Sequence, residues 1–440
     1  MTQTRCDDDV LTVPAVTHAH GTVKLPGSKS ISNRALLLAA LCPQGTRLTG
    51  LLQAEDTERM LDSLRLLGAT IEQKGDECTI APGKDFPSRE AELFVGNAGT
   101  VSRMLTALLA FAGGSYRLDG VKRMRERPIA DLVDALREIG ARIEYTGQVG
   151  CLPLRILPAR LTSDTARVRG NVSSQFLTAL LLASAGWART LNRPFHIQIL
   201  GDLISRPYVE MTVSMMRSFG ADVVKVSDGY VVGTRQMTPP ETYAIEGDAS
   251  GASYFLALGA LTGGPVRVVG IGRNSLQGDV HFADVLAQMG ADVTYLDNAV
   301  EVSRKPGTTL RGISINCLAI PDAAMTFVPM ALCTEGPVEL TGIASWRVKE
   351  TDRLEAMACE MRKFGARVSS GPDWIRVERG SEIIPARVAT YNDHRMAMSF
   401  ALAACAGIPV QIENPACTAK TFPDFFKTLF TMIGRNPSLA

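Results

Sequence analysis

Ser63-Leu64-Arg65-Leu66-Leu67-Gly68-Ala69-Thr70-Ile71 joins the end of an amphipathic helix to the start of a strand. The glycine suits the left-handed position that stops a helix, and the small alanine lets a strand begin close behind it. The phrase returns as Leu136-Arg137-Glu138-Ile139-Gly140-Ala141-Arg142-Ile143 and as Met215-Met216-Arg217-Ser218-Phe219-Gly220-Ala221-Asp222-Val223. It returns again as Leu286-Ala287-Gln288-Met289-Gly290-Ala291-Asp292-Val293 and Met361-Arg362-Lys363-Phe364-Gly365-Ala366-Arg367-Val368. A degenerate sixth copy, Leu429-Phe430-Thr431-Met432-Ile433-Gly434, follows near the end. These glycines lie roughly 70 to 80 residues apart, too far for a solenoid repeat. One helix–Gly–strand joint belongs in any α/β protein, but five with the same Gly-Ala are not coincidence. Six units over two domains give three per domain. The divide then falls between Gly220 and Gly290, with Thr238-Pro239-Pro240 to Glu246-Gly247-Asp248 as a crossing segment.

The 440 residues suit two domains, and a hydrophobic content of 46% with 21% charged residues describes a chain able to bury large cores. A formal net charge of +1 argues against a nucleic-acid binder, so the cations serve local sites. The nine cysteines are scattered, with no Cys-x-x-Cys and no zinc spacing, as expected in a reducing compartment. Asp7-Asp8-Asp9 does not suit a signal peptide, and apolar runs such as Leu177–Ala188 are too short to span a membrane. These features predict a cytoplasmic location.

Between the repeats lie polar phrases that a core does not need. Leu25-Pro26-Gly27-Ser28-Lys29-Ser30-Ile31-Ser32-Asn33-Arg34 reads as a turn opening a helix capped by Ser28 or Ser30. Its free N–H groups, Lys29, Ser30 and Arg34 suit a carboxylate or phosphate; equally, they suit an ordinary capped helix. Gly96-Asn97-Ala98-Gly99-Thr100 allows close approach of backbone to a ligand, and Arg127 precedes a helix start. Ser173-Ser174-Gln175 and Ser205-Arg206-Pro207 place hydroxyls at helix starts, where they cap or bind phosphate. Further on come Pro321-Asp322-Ala323, Trp346-Arg347-Val348-Lys349-Glu350-Thr351-Asp352-Arg353, Tyr391-Asn392-Asp393-His394-Arg395 and Cys417-Thr418-Ala419-Lys420. In a helix Lys349 and Arg353 share one face and repel, which suggests an anion between them. Asp393-His394-Arg395 lacks the companions of a metal site or a nucleophilic triad. Lys29, Arg34, Arg127, Lys349, Arg353, Arg395 and Lys420 suit an enzyme that holds two small anionic substrates in an interdomain cleft.

These phrases, in this order and over nearly the whole chain, resemble the 5-enolpyruvylshikimate-3-phosphate synthase family. The resemblance implies an α/β fold of two similar domains, each of three βαβαββ units: an inside-out α/β barrel. It assigns residues 28–246 to one domain and 1–27 plus 247–440 to the other, with two chain crossovers and the active site in the cleft. It implies transfer of the enolpyruvyl group of phosphoenolpyruvate to the 5-hydroxyl of shikimate 3-phosphate, with release of phosphate and no metal or organic cofactor. Ser30, Arg34, Ser173, Ser174, Gln175, Ser205, Asp322, Ser345 and Lys349 would bind shikimate 3-phosphate. Gly99, Arg127, Gln175, Arg353, Arg395 and Lys420 would meet phosphoenolpyruvate, and Lys29 would serve both. The partners expected are these two small molecules, with no nucleic acid or membrane, and a monomer as the working form.

The chemistry needs a base near the 5-hydroxyl and an acid for the enol CH2. Asp322 is the expected base, Lys29 its support and Glu350 the expected acid. The cations are expected to repel one another when the site is empty, favouring an open form. Ser345 stands where family members often have Asn, and Met104 where many have Pro; the Met104 helix borders the site at which glyphosate mimics phosphoenolpyruvate in this family. A related transferase acting on UDP-N-acetylglucosamine often has a cysteine acid before an Arg-Pro pair, and none lies in Lys122-Arg123-Met124-Arg125-Glu126. A non-catalytic anion-binding protein on the same fold would be expected to lose Asp322 or Glu350, and both are present.

Overall fold

The computed structural model describes residues 10–84 and 86–436, so Cys6 and Asp7-Asp8-Asp9 lie outside it. The chain forms two units, Met1–Pro26 with Gly247–Ala440, and Gly27–Glu246. Gly27 thus belongs with the residues that follow it, one position away from the division expected.

The repeated joints share one geometry. Gly68, Gly140, Gly220, Gly290 and Gly365 all have φ between 81° and 109°. After the first four, the next N–H donates back to the carbonyl five residues earlier, as in Ala69 to Leu64 at 2.9 Å and Ala221 to Met216 at 2.9 Å. This closure satisfies the last carbonyls of the helix. The alanines that follow the five glycines are each 7 or 8% exposed, so one socket is reused and a larger side chain would not fit it. Gly434 repeats the closure, with Arg435 N–H donating to the Phe430 carbonyl at 2.8 Å.

Residues 90–157 show the complete unit. Strand Glu90–Phe94, helix Gly99–Ala112, strand Ser115–Asp119 and helix Ala130–Glu138 lead into the hairpin Arg142–Tyr145 and Leu154–Leu157. Ser115–Asp119 runs parallel to Glu90–Phe94 and antiparallel to Leu154–Leu157. Residues 165–232 repeat this order. Strands such as Leu154–Leu157 alternate buried and partly exposed residues, whereas helices Lys29–Leu41, Gly99–Ala112 and Ala249–Thr262 are buried nearly all round. Within each unit, then, the sheets face outward and the helices that follow their parallel edge strands fill the core, as an inside-out arrangement requires.

The first repeat of each unit departs from chain order. Gly21–Lys24 precedes helix Lys29–Leu41 but pairs in parallel with Val266–Val269. Thr242–Ala244 precedes helix Ala249–Thr262 but pairs in parallel with Thr46–Thr49. Each unit therefore takes its edge strand from the segment leading into the other. The crossing segments hydrogen-bond side by side: Ser28 N–H donates to Glu246 at 2.8 Å and Asp248 N–H to Pro26 at 2.9 Å. The sixth sheet has three strands, with Val10–Val13 antiparallel to Val410–Glu413 where other units have a hairpin. The degenerate last repeat is thus completed by the first described strand of the chain.

Gly27 lies where these segments turn, and a Cβ there would stand 2.0 Å from the Gly50 carbonyl oxygen. Gly27→Ala is expected to lower stability by about 2 to 3 kcal/mol through forced backbone shifts, measured by denaturant unfolding. Wild-type stability in this variant would show that the turn has slack.

Candidate functional site

In unit Gly27–Glu246 the polar groups gather at the starts of the core helices. Ser28 caps helix Lys29–Leu41, its hydroxyl accepting from Ile31 N–H. Lys29 reaches the buried Asp56 at 3.6 Å. Arg34 is 2% exposed and donates to Thr212 Oγ1 at 2.8 Å and to the Ser30 carbonyl at 2.9 Å. Weaker bonds at 3.4 Å reach Thr178 Oγ1 and the Tyr208 carbonyl. Burial pulls the Arg34 guanidinium down to about 10. Arg34 therefore ties its helix to the helices Ser174–Leu191 and Arg206–Ser218, a packing duty the sequence did not reveal.

Ser173 caps helix Ser174–Leu191, accepting from Gln175 N–H, and Ser174 is buried. Ser205 precedes helix Arg206–Ser218 with φ 50°, the left-handed backbone. Gly99 and Arg127 meet directly: a Cβ on Gly99 would stand 2.4 Å from Arg127 Nη2. Arg127 Nη1 donates to the Asn97 carbonyl at 3.0 Å, which holds the guanidinium against the loop before the helix. Arg103 supports this pair, donating to the carbonyls of Pro128 at 2.6 Å and Gly99 at 3.2 Å. Met104, one residue on, is 1% exposed and belongs to the core.

In the other unit the polar groups converge on Arg353, whose side chain is 1% exposed. Its Nη1 lies 3.0 Å from Asp322, its Nη2 2.9 Å from Glu350 and its Nε 2.7 Å from Asp393. Asp322 also meets Lys349 at 3.5 Å and Arg395 at 3.2 Å, and Glu350 meets Lys420 at 3.2 Å. Burial alone would lower the Arg353 pKa, but Asp393, Glu350 and Asp322 outweigh it and raise the pKa above its ordinary value. Four cations thus interlock with three carboxylates. The expected repulsion among empty cations is corrected accordingly: the chain supplies its own counter-charges here, as it does for Lys29.

The reading of Lys349 and Arg353 on one helical face is also corrected. Ala344–Val348 is a short 3-10 turn, Lys349 is extended, and the helix begins at Arg353. The anion expected between the two is Asp322 itself. Trp346, fully buried, donates its indole N–H to the Pro321 carbonyl at 2.7 Å and so ties Lys349 to Asp322. Ser345 lies half-buried on that turn. Asp393 caps helix His394–Ala401 through Arg395 N–H at 2.9 Å.

Aligning the repeats would have found one more group. Asp248, Asp322 and Asp393 all stand at the start of a first helix of their repeats. Near the first of these, the Gln277 side chain accepts from Ala249 N–H at 3.1 Å and donates to the Gly247 carbonyl at 2.7 Å. Ser250 donates to the buried Asp279. No motif in the sequence announced Asp279.

The family model described as EPSP synthase (3-phosphoshikimate 1-carboxyvinyltransferase) matches residues 13–429. A 3-phosphoshikimate 1-carboxyvinyltransferase from Cupriavidus taiwanensis is 53% identical over 425 residues, covering 94% of this chain and 98% of that protein. One from Cellvibrio japonicus is 52% identical, covering 93% and 96%. Among solved structures, EPSP synthase from Acinetobacter baumannii superposes with a TM-score of 0.78 at 27% identity, over 96% of this chain and 98% of that one. The enolpyruvyl transferase NikO from Streptomyces tendae, at 19% identity and a TM-score of 0.75, shares the fold. No helix among the described residues is long and apolar enough to cross a membrane.

Burial pushes the Asp279 carboxyl from 3.8 up to about 6, with the Asp322 charge adding to the rise and Ser250 and Arg395 opposing it. An acid whose folded pKa exceeds its unfolded one stabilises least when ionised. Its contribution is fullest below the unfolded value and is lost as pH rises through about 6. Asp279→Asn should therefore stabilise the protein at pH 8, by roughly 3 kcal/mol at most, and change little at pH 4. Thermal unfolding at both pH values checks this, and equal shifts at the two would refute it.

Proposed function

The chain belongs to the EPSP synthase family, and from that membership we infer how its two polar clusters divide the work. The enzyme transfers the enolpyruvyl group of phosphoenolpyruvate to the 5-hydroxyl of shikimate 3-phosphate and releases phosphate, a step toward aromatic amino acids. The observation that carries the division is Asp322. Its side chain is 17% exposed, yet it is oriented by Lys349, Arg353 and Arg395. A carboxylate fixed by cations but reachable from outside suits a general base.

In this reading Ser30, Arg34, Ser173, Ser174, Gln175, Ser205, Ser345 and Lys349 bind shikimate 3-phosphate. Hydroxyls and helix N–H groups hold its phosphate and carboxylate. Phosphoenolpyruvate meets Lys29, Gly99, Arg127, Gln175, Arg353, Arg395 and Lys420. Asp322 takes the proton of the 5-hydroxyl as that oxygen bonds to C2 of phosphoenolpyruvate. Glu350 gives a proton to C3, and a tetrahedral ketal phosphate forms. Loss of a proton from the new methyl group then expels phosphate and restores the enol ether. In this reading the ion pairs of Glu350 set the conditions for its proton transfer. Glu350 is held by Arg353 at 2.9 Å and Lys420 at 3.2 Å. A trianionic substrate engages these cations, and protonation of Glu350 becomes easier. Clamped cations also position both substrates and stabilise the charge that develops. The working form in this reading is a cytoplasmic monomer; the eight described cysteines are free, as a reducing compartment maintains.

Mixing the protein with phosphoenolpyruvate and either shikimate 3-phosphate or UDP-N-acetylglucosamine, and following phosphate release, tests the reaction. Release with the first acceptor alone is expected. Asp322→Ala should keep shikimate 3-phosphate binding and lose about a thousandfold in kcat; unchanged turnover would remove Asp322 as the base. Arg127→Ala should raise the KM for phosphoenolpyruvate about 10- to 100-fold and leave that for shikimate 3-phosphate unchanged. An unaltered KM would remove Arg127 from that site.

A further inference from the structure

Tyr391 and Asn392 are consecutive non-glycine residues with φ of 54° and 55°. Asparagine tolerates this left-handed backbone; tyrosine rarely adopts it, so the surroundings must hold it there. The pair immediately precedes Asp393 and Arg395. A third residue of this kind, Asn414 with φ 47°, opens the 3-10 turn Pro415–Lys420 that delivers Lys420.

What holds the turn is specific. The Tyr391 hydroxyl donates to Glu360 Oε1 at 2.8 Å. Glu360 is fully buried, and its other oxygen accepts from Lys363 Nζ at 2.6 Å and from Ala389 N–H at 3.1 Å. Glu360 lies on helix Arg353–Lys363, two turns beyond Arg353. On the other side, Asn414 Nδ2 donates to Asn392 Oδ1 at 3.2 Å. A continuous frame therefore runs from the Arg353 helix through Glu360 and Tyr391 to the Arg395 turn, and through Asn392 and Asn414 to the Lys420 turn.

We propose that Tyr391, Asn392 and Asn414 are positioning residues for phosphoenolpyruvate, setting the mutual placement of Arg353, Arg395 and Lys420 through this frame. The inference rests on the assignment of those three cations to that substrate. None of the three positioning residues need touch it. Their effect is geometric: a trianion bound by three separately carried cations is held well only when the three segments keep register, because hydrogen bonds to charge weaken steeply with distance and angle. The left-handed turn is accepted because it aims Asp393 at Arg353 and Arg395 at Asp322 together.

The test compares KM values for the two substrates in Tyr391→Phe, Asn392→Gly, Asn414→Gly and the Asn392→Gly/Asn414→Gly double variant, with Arg395→Ala as control and Tm measured throughout. Glycine accepts the left-handed backbone, so the second and third variants remove the side-chain rung without adding strain. Tyr391→Phe and Asn392→Gly should each raise the KM for phosphoenolpyruvate about five- to tenfold, with that for shikimate 3-phosphate unchanged. The double variant should be no worse than its more affected single, since both remove one bond. Unchanged KM values, parallel rises for both substrates, or rises that appear only where Tm falls would overturn the proposal. If Arg395→Ala raises the KM for phosphoenolpyruvate while the frame variants do not, the proposal alone fails. If Arg395→Ala itself has no effect, the assignment beneath it fails, and the proposal with it.

Discussion

A guanidinium with almost no access to water carries the organisation of one unit. Arg353 is held by Asp322, Glu350 and Asp393 at 2.7 to 3.0 Å, and these carboxylates hold Lys349, Arg395 and Lys420 in turn. Removing one partner from such a buried network leaves an uncompensated charge, typically a loss of about 3 to 5 kcal/mol. The network does more than stabilise. Each carboxylate comes from a different segment, so Arg353 fixes where three loops end. Its saturation with acids also means that any anion reaching Arg353 has to compete with the chain's own carboxylates.

The other unit solves a similar problem with fewer charges. Lys29 has Asp56, and Arg34 is steadied by the Thr212 hydroxyl and the Ser30 carbonyl. Arg127 rests on the loop at Gly99, where only a missing Cβ leaves room. Hydroxyl and backbone donors at helix starts bind an anion without repelling one another when it is absent. One unit thus offers neutral donors and a few braced cations, and the other an ion-paired cluster that carries the titratable groups.

The exchanged edge strands give both clusters a rigid origin. The chain leaves one unit immediately after Gly21–Lys24 and re-enters after Thr242–Ala244, and each departing strand stays hydrogen-bonded to a sheet. The helix starts beyond the crossings carry Lys29 and Ser30 on one side and Asp248 on the other. Gln277 clasps the second crossing through Gly247 and Ala249. The residues that begin each core are therefore pinned by backbone pairing, which costs little side-chain freedom.

By itself the sequence determined the repeating unit and the residue types of the site. A glycine that stops a helix and an alanine that fits the next socket are local requirements, so five joints and their phase were legible in Gly68, Gly140, Gly220, Gly290 and Gly365. The caps at Ser28, read as an alternative to Ser30, and at Ser173 were legible for the same reason, since a cap is a matter of a few adjacent residues. Strand exchange was not legible in the repeat, because Gly21–Lys24 carries nothing local that chooses Val266–Val269 over Thr46–Thr49. Nor were the pairings of Arg353 with Asp393, of Tyr391 with Glu360 or of Asn414 with Asn392 legible. Those depend on which loops the six sheets bring together, and the electrostatics of the site follows from that meeting: Lys349 and Arg353 read as repelling neighbours along the chain, and only the tertiary structure places Asp322 against both.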